Sequence, residues 1–157
     1  MQIGELIAAE GVIAGLRVRD KRQALEELSH RAATALGLDP GAILAPLLAR
    51  EELGSTGVGK GIAIPHARIA GLSRPFALFA KLERSIDFAA VDDQPVDLVC
   101  LLLTPERAGA EHLPALACVS RRLREREVAE RLRRAKDDAS LYAILTGDSS
   151  RSPPKPR

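Results

Sequence analysis

Between Gly54 and His66 the chain sets four glycines (Gly54, Gly57, Gly59 and Gly61), then a short apolar run, a proline and a histidine. Glycines at this density let backbone N–H groups turn inward around an anion. Ile62, Ala63 and Ile64 read as a strand. Pro65 lacks an N–H and favours extended geometry in the residue before it, so the strand is expected to end there and hold His66 at the rim of a sheet. An imidazole with its ordinary pKa near about 6.5 is largely neutral at cellular pH and is a usable nucleophile. The chemistry suggested is phosphate on imidazole. Ser55 and Thr56 can offer hydroxyls, and the loop around Gly57 and Gly59 can offer amides, to the phosphoryl oxygens.

Two further residues suit that chemistry. Arg50 stands at the end of an expected helix, and its planar guanidinium can neutralise phosphoryl oxygens or simply complement the helix dipole. His112 stands at the start of a later expected helix, where it can hydrogen-bond the phosphoryl group or fix the tautomer of His66. Arg50, His66 and His112 all fall at ends of elements and can converge at one rim of a sheet. Positioning and charge stabilisation dominate phosphoryl transfer, and little covalent work is asked of the protein. No cofactor or metal is expected.

The same segment holds a decoy. Gly54 to Lys60 fits most of G-x-x-x-x-G-K-[ST], but Gly61 stands where the magnesium-binding hydroxyl would be. The segment also follows an expected helix and leads into a strand, the reverse of a P-loop. A nucleotide-binding P-loop is therefore rejected.

The elements that must carry these residues follow from periodicity and punctuation. One edge-like strand is expected around Gly15. Asp20 caps a helix with Gln23 placed for a capping box, Ala24, Leu25, Leu28, Ala32, Ala35 and Leu36 recur at helical spacing, and Gly37 closes it. His30 on that helix reads as a solvated or half-buried residue. Asp39-Pro40 starts a second helix, in which Pro46 is expected to cause a kink or a delayed start. After His66, residues 67–75 read as a loop, 76–82 as a strand and 83–95 as an irregular connection with a turn at Asp92-Asp93-Gln94-Pro95. Residues 96–103 are the most apolar segment and suggest a strand buried on both faces. Helices are expected over about 110–123, 126–135 and 138–146. The arginines between residues 121 and 136 interleave with Glu125, Glu127 and Glu130 and read as a solvated, salt-bridged face. The product is an α/β domain over residues 1–147, with a mixed sheet of four to five strands between helices. Residues 148–157 read as a disordered Ser/Pro-rich basic tail.

Composition narrows the function class. The 157 residues are 46% hydrophobic and 28% charged, ordinary for a globular protein, while aromatics make up 3%. That is too few stacking rings for a single-stranded nucleic-acid platform. The formal net charge of +2 resides in the tail, where Arg151, Lys155 and Arg157 lie, so no nucleic-acid footprint is expected on the fold. Cys100 and Cys118 lack metal or redox spacing, and a reduced, cytoplasmic setting fits. No leader is evident, and the apolar run at 98–103 is too short to cross a bilayer, so no membrane insertion is expected.

At this point the residues carry a resemblance. Leu48-Ala49-Arg50-Glu51-Glu52-Leu53-Gly54-Ser55-Thr56-Gly57-Val58-Gly59, then Gly61-Ile62-Ala63-Ile64-Pro65-His66, resembles the IIA component of the bacterial phosphoenolpyruvate-dependent phosphotransferase system, fructose–mannitol type. The likeness continues through Ile86-Asp87-Phe88, Asp92-Asp93-Gln94-Pro95-Val96-Asp97-Leu98 and His112-Leu113. It implies phosphorylation of His66 on Nε2, Arg50 and His112 as supporting residues, a three-layer α/β/α fold, and a phosphorylated HPr-type phosphocarrier as donor. Within the family the chain is most similar to the nitrogen-regulatory branch, whose members bind regulatory target proteins according to phosphorylation state. The competing expectations are a sugar-specific IIA subunit that passes phosphate to a IIB permease domain, and an anion-binding module whose histidine is never phosphorylated. Lys60 stands where Asn is common and Ala67 where Gly is common.

Overall fold

A computed structural model describes residues 1–107 and 109–147; the tail expected to be disordered lies outside the described residues. In chain order the elements are β1 (Val12–Leu16), α1 (Lys21–Leu36), α2 (Pro40–Glu52), β2 (Gly57–Gly59), β3 (Ile62–Ala63), β4 (His66–Ile69), β5 (Phe76–Ile86), β6 (Val96–Pro105), α3 (Gly109–Arg124), α4 (Arg126–Arg134) and α5 (Asp138–Thr146).

The strands form one mixed sheet in the order β1-β5-β6-β3-β2, with β4 beside β6 beyond the end of β3. The β1–β5, β3–β6 and β4–β6 pairs are parallel, and β5–β6 and β2–β3 are antiparallel. Six strands exceed the expected four to five. The two extra strands come from segments expected to be loops. The glycine-rich stretch forms β2, and the residues after Pro65 form β4.

β6 is the axis of the molecule. Val99, Leu101 and Leu103 face one way, into a core with Ala24, Leu25 and Leu28 of α1 and Ile43 and Leu47 of α2. Leu98, Cys100 and Leu102 face the other way, against Ala115, Val119 and Leu123 of α3, Val128 and Leu132 of α4, and Leu141 and Leu145 of α5. Side chains alternate along a strand, so a segment apolar at every position must be covered on both faces. Each fully buried aliphatic side chain contributes about 1.5–3 kcal/mol. The result is the expected α/β/α sandwich. Ile3, Leu6 and Ile7, which the sequence reading did not place in the core, also pack on the α3–α5 side through two short 3-10 turns.

Helix punctuation matches the side chains. Asp20 accepts a hydrogen bond from the Gln23 amide at 2.8 Å, and the Gln23 side chain accepts one from the Arg19 amide at 2.7 Å. Gly37 ends α1 in the left-handed conformation, at φ 71°. α2 starts at Pro40 without delay and runs through Pro46 to Glu52, because Ile43 and Leu47 bury the face that holds it to the sheet. β5 continues to Ile86, beyond the expected end at 82.

Candidate functional site

β4 presents His66 and Arg68 on one face, with the alternate residues Ala67 and Ile69 buried. The carbonyl of Pro65 accepts from the Leu102 amide at 2.9 Å, which pins the start of β4 to the central strand. His66 thus opens a second short strand; it does not end the first one. Its Nδ1 lies 2.8 Å from the carbonyl oxygen of Ile64. A carbonyl oxygen only accepts, so in the neutral ring Nδ1 carries the proton and Nε2 carries the lone pair.

Two other elements close around this ring. The last turn of α2 brings Arg50, whose Nη1 donates to the Gly54 carbonyl at 2.8 Å. The first turn of α3 brings His112, 9% exposed, with its ring centroid 5.5 Å from that of His66 and the planes tilted by 53°. Thr104 of β6 lies under α3 and sets its hydroxyl 2.6 Å from His112 Nδ1. His66, His112, Arg50 and Arg68, with Pro46, Ala49, Leu53 and Ala67, line a cleft of about 410 Å³. A larger groove of about 720 Å³ lies elsewhere, bordered by Arg17, Arg19, Glu83 and Arg84, but holds no histidine or other nucleophile suited to this chemistry. The smaller cleft is where the chemistry gathers.

Burial disfavours the charged form of both rings. Burial pulls the His66 pKa below the ordinary 6.5, with the Arg50 charge acting the same way; the Ile64 hydrogen bond and Glu51 oppose it. Burial also lowers His112, helped by the charges of His66 and Arg68. A neutral His66 keeps its Nε2 pair available.

The expected cup of amides and hydroxyls is arranged differently. The Ser55 hydroxyl donates to the Phe88 carbonyl at 2.8 Å and accepts from the Gly57 amide at 3.0 Å. Thr56 gives both its amide and its hydroxyl to the Glu51 carboxylate. A Cβ on Gly57 would stand 2.8 Å from the Cβ of Ala90, so glycine there serves the close approach of two backbones. Gly59 lies in β2, one residue before a two-residue hairpin turn whose centre, Lys60 and Gly61, has φ of 60° and 79°. None of Ser55, Thr56, Gly57 and Gly59 lines the cleft. Glycine density serves a tight hairpin as well as an anion nest, and periodicity does not choose between them.

Three residues at or behind the site escaped sequence reading. Arg68 had a usable signal, since a residue two places after His66 in a strand shares its face. Thr104 directly follows the apolar run at 96–103, and no spacing marks it as part of a site. Glu51, its side chain 6% exposed, accepts from Thr56 and pairs with Lys21 at 2.7 Å, tying the end of α2 to the start of α1 and to the glycine-rich segment. Asp92, expected in a turn, is found in one: it accepts from the Lys60 and Gln94 amides, and these bonds hold its carboxyl below the usual range.

Residues 5–147 match the family model described as "Phosphoenolpyruvate-dependent sugar phosphotransferase system, EIIA 2". The chain belongs to the EIIA 2 family. A nitrogen regulatory protein of Bradyrhizobium diazoefficiens is 48% identical to this EIIA 2 chain over 145 residues, covering 92% of this chain and 95% of that protein. The nitrogen regulatory protein of Escherichia coli is 39% identical over 147 residues, covering 93% and 90%. The crystal structure of the nitrogen regulatory protein IIA-Ntr of Neisseria meningitidis superposes with a TM-score of 0.85 at 33% identity, over 92% of this chain and 99% of that one. The mannitol enzyme IIA of Escherichia coli, solved in complex with phosphorylated mannitol enzyme IIB, shares the fold at a TM-score of 0.76 and 20% identity, over 91% and 100%.

Proposed function

We propose that this EIIA 2 chain is a phosphohistidine carrier. It accepts phosphate on His66 from a phosphorylated HPr-type protein and, by its phosphorylation state, regulates partners in nitrogen, carbon or ion-transport control. The observation that carries this reading is the 2.8 Å contact from His66 Nδ1 to the Ile64 carbonyl, which leaves Nε2 as the nucleophile in a cleft that Arg50, Arg68 and His112 share.

In the proposed step the donor's N–P bond breaks and its electron pair stays on the donor nitrogen. The Nε2 pair of His66 bonds to phosphorus, while the Nδ1 proton stays on the Ile64 bond. Arg50 has spent one N–H on Gly54 and keeps others for phosphoryl oxygens. Arg68 has no ion-pair partner among the described residues and adds a second cation. Leu53, lining the cleft, and Leu113, beside His112, are exposed and supply an apolar rim for a docked protein. Among the described residues no helix is long and apolar enough to cross a membrane.

The test is incubation with a phosphorylated HPr-type donor, followed by intact-protein mass before and after acid. One acid-labile phosphoryl group is expected on the wild type and none on His66→Ala. A labelled His66→Ala protein overturns the assignment. The second reading, a sugar-specific IIA, is favoured by the solved complex of the mannitol relative with phosphorylated IIB. Rapid onward transfer to a fructose or mannitol IIB domain would select it. The regulatory reading is preferred because the relatives matched over nine-tenths of this chain at 48% and 39% identity are nitrogen regulatory proteins.

A further inference from the structure

The phosphocarrier reading gives His112 a supporting part, but a neutral imidazole supports an anion only if a ring N–H faces it. We infer that Thr104 is a positioning residue that makes His112 a donor: its hydroxyl donates to His112 Nδ1 and holds the ring as the Nε2–H tautomer. This rests on the phosphocarrier reading and concerns the same cleft.

The argument is one of hydrogen-bond accounting. Thr104 is fully buried, and its hydroxyl lies 2.6 Å from His112 Nδ1, its sole hydrogen-bond partner among the described residues. A buried hydroxyl proton without an acceptor carries a desolvation penalty. If Nδ1 held the ring proton, Thr104 would have to accept, and its own proton would have nowhere to go. If Thr104 donates, both groups are satisfied, and the ring proton must sit on Nε2. His112 lines the cleft, so its remaining nitrogen is a donor there.

His66 is set the opposite way by the same accounting. Its Nδ1 faces the Ile64 carbonyl, which can only accept, so Nδ1 is protonated and Nε2 is bare. The two imidazoles, 5.5 Å apart, are thus locked in opposite tautomers by one backbone carbonyl and one threonine hydroxyl. One ring offers a lone pair to phosphorus and the other an N–H to a phosphoryl oxygen. His112 neither gains nor loses a proton in the step.

The experiment uses the full chain with ¹⁵N-labelled histidine at about pH 8, above the ordinary histidine pKa. Two-bond ¹H–¹⁵N correlations identify each tautomer in the unphosphorylated protein. Wild type is expected to show His112 as Nε2–H with a hydrogen-bonded Nδ1, and His66 as Nδ1–H. Thr104→Val is expected to release His112 into averaged shifts, with His66 unchanged as a control for folding, and Thr104→Ser to restore the wild-type pattern. Phosphoramidate then serves as a chemical donor that needs no partner protein. Phosphorylation of His66 is expected to slow about ten-fold in Thr104→Val, because a ring freed to turn as well as to change tautomer no longer holds its N–H on the phosphoryl oxygen, and to recover to within about two-fold in Thr104→Ser. Wild-type His112 found as Nδ1–H overturns the inference. A Thr104→Val protein phosphorylated at the wild-type rate overturns the role of Thr104 alone. A wild type that takes no phosphoryl group from either donor overturns the carrier reading, and with it the role of Thr104.

Discussion

At the scale of single residues the site is a matter of which nitrogen holds a proton. Burial lowers the pKa of both His66 and His112 from 6.5, so the folded protein prefers them neutral. The unfolded chain takes up protons first as pH falls below about 6.5, and acid therefore favours unfolding. The stability that these neutral rings contribute is whole above that value and is lost as pH drops through their lower folded values. We expect the urea midpoint of the wild type to fall more between about pH 7 and pH 5 than that of a His66→Gln, His112→Gln double variant. Equal slopes for the two proteins would show that neither ring is held neutral by the fold.

At the scale of elements, the hairpin turn accounts for the Asn that is common where this chain has Lys60. The turn between β2 and β3 puts Lys60 at φ 60°, a conformation that costs an ordinary L-residue energy and that Asn tolerates better. The Lys60 amide is held by Asp92 at 2.9 Å, so the backbone stays in that conformation whatever the side chain. The exposed Lys60 side chain makes no ion pair among the described residues. Lys60→Asn is therefore expected to raise stability by about 0.5 kcal/mol in chemical denaturation, with no change in phosphorylation rate. A loss of phosphoryl uptake in that variant would place Lys60 at the anion after all.

For the molecule as a whole, the two-sided burial of β6 decides what is reachable. Cys100 sits at its centre, fully buried, and burial pushes its thiol up to about 12. Cys118, 8% exposed on α3, is also shifted upward by burial. Thiol reactivity follows the thiolate, so neither is a redox handle in the folded state. Native protein at about pH 7.5 is expected to resist alkylation for hours and to label at both cysteines in denaturant. Fast labelling of Cys100 would mean that the sheet opens without global unfolding.

The sequence alone determined the elements with strong periodicity or punctuation. Asp20, Gly37 and Asp39-Pro40 bounded the first two helices, the apolar run at 96–103 announced a doubly covered strand, and the Arg50-to-His66 motif pointed to the family. These signals are local, because caps, turns and alternation act within a few residues. The tertiary structure decided the rest. It showed that the glycine-rich stretch pairs as a strand, folded on itself across a hairpin and packed through Gly57 against Ala90, which is far from it in sequence. It brought Arg68 and Thr104 to the site through the pairing of β4 with β6. It turned Ser55 and Thr56 towards Phe88 and Glu51, away from the cleft. A hydroxyl or an amide bonds whichever partner the fold brings within reach, and only the packed chain says which partner that is.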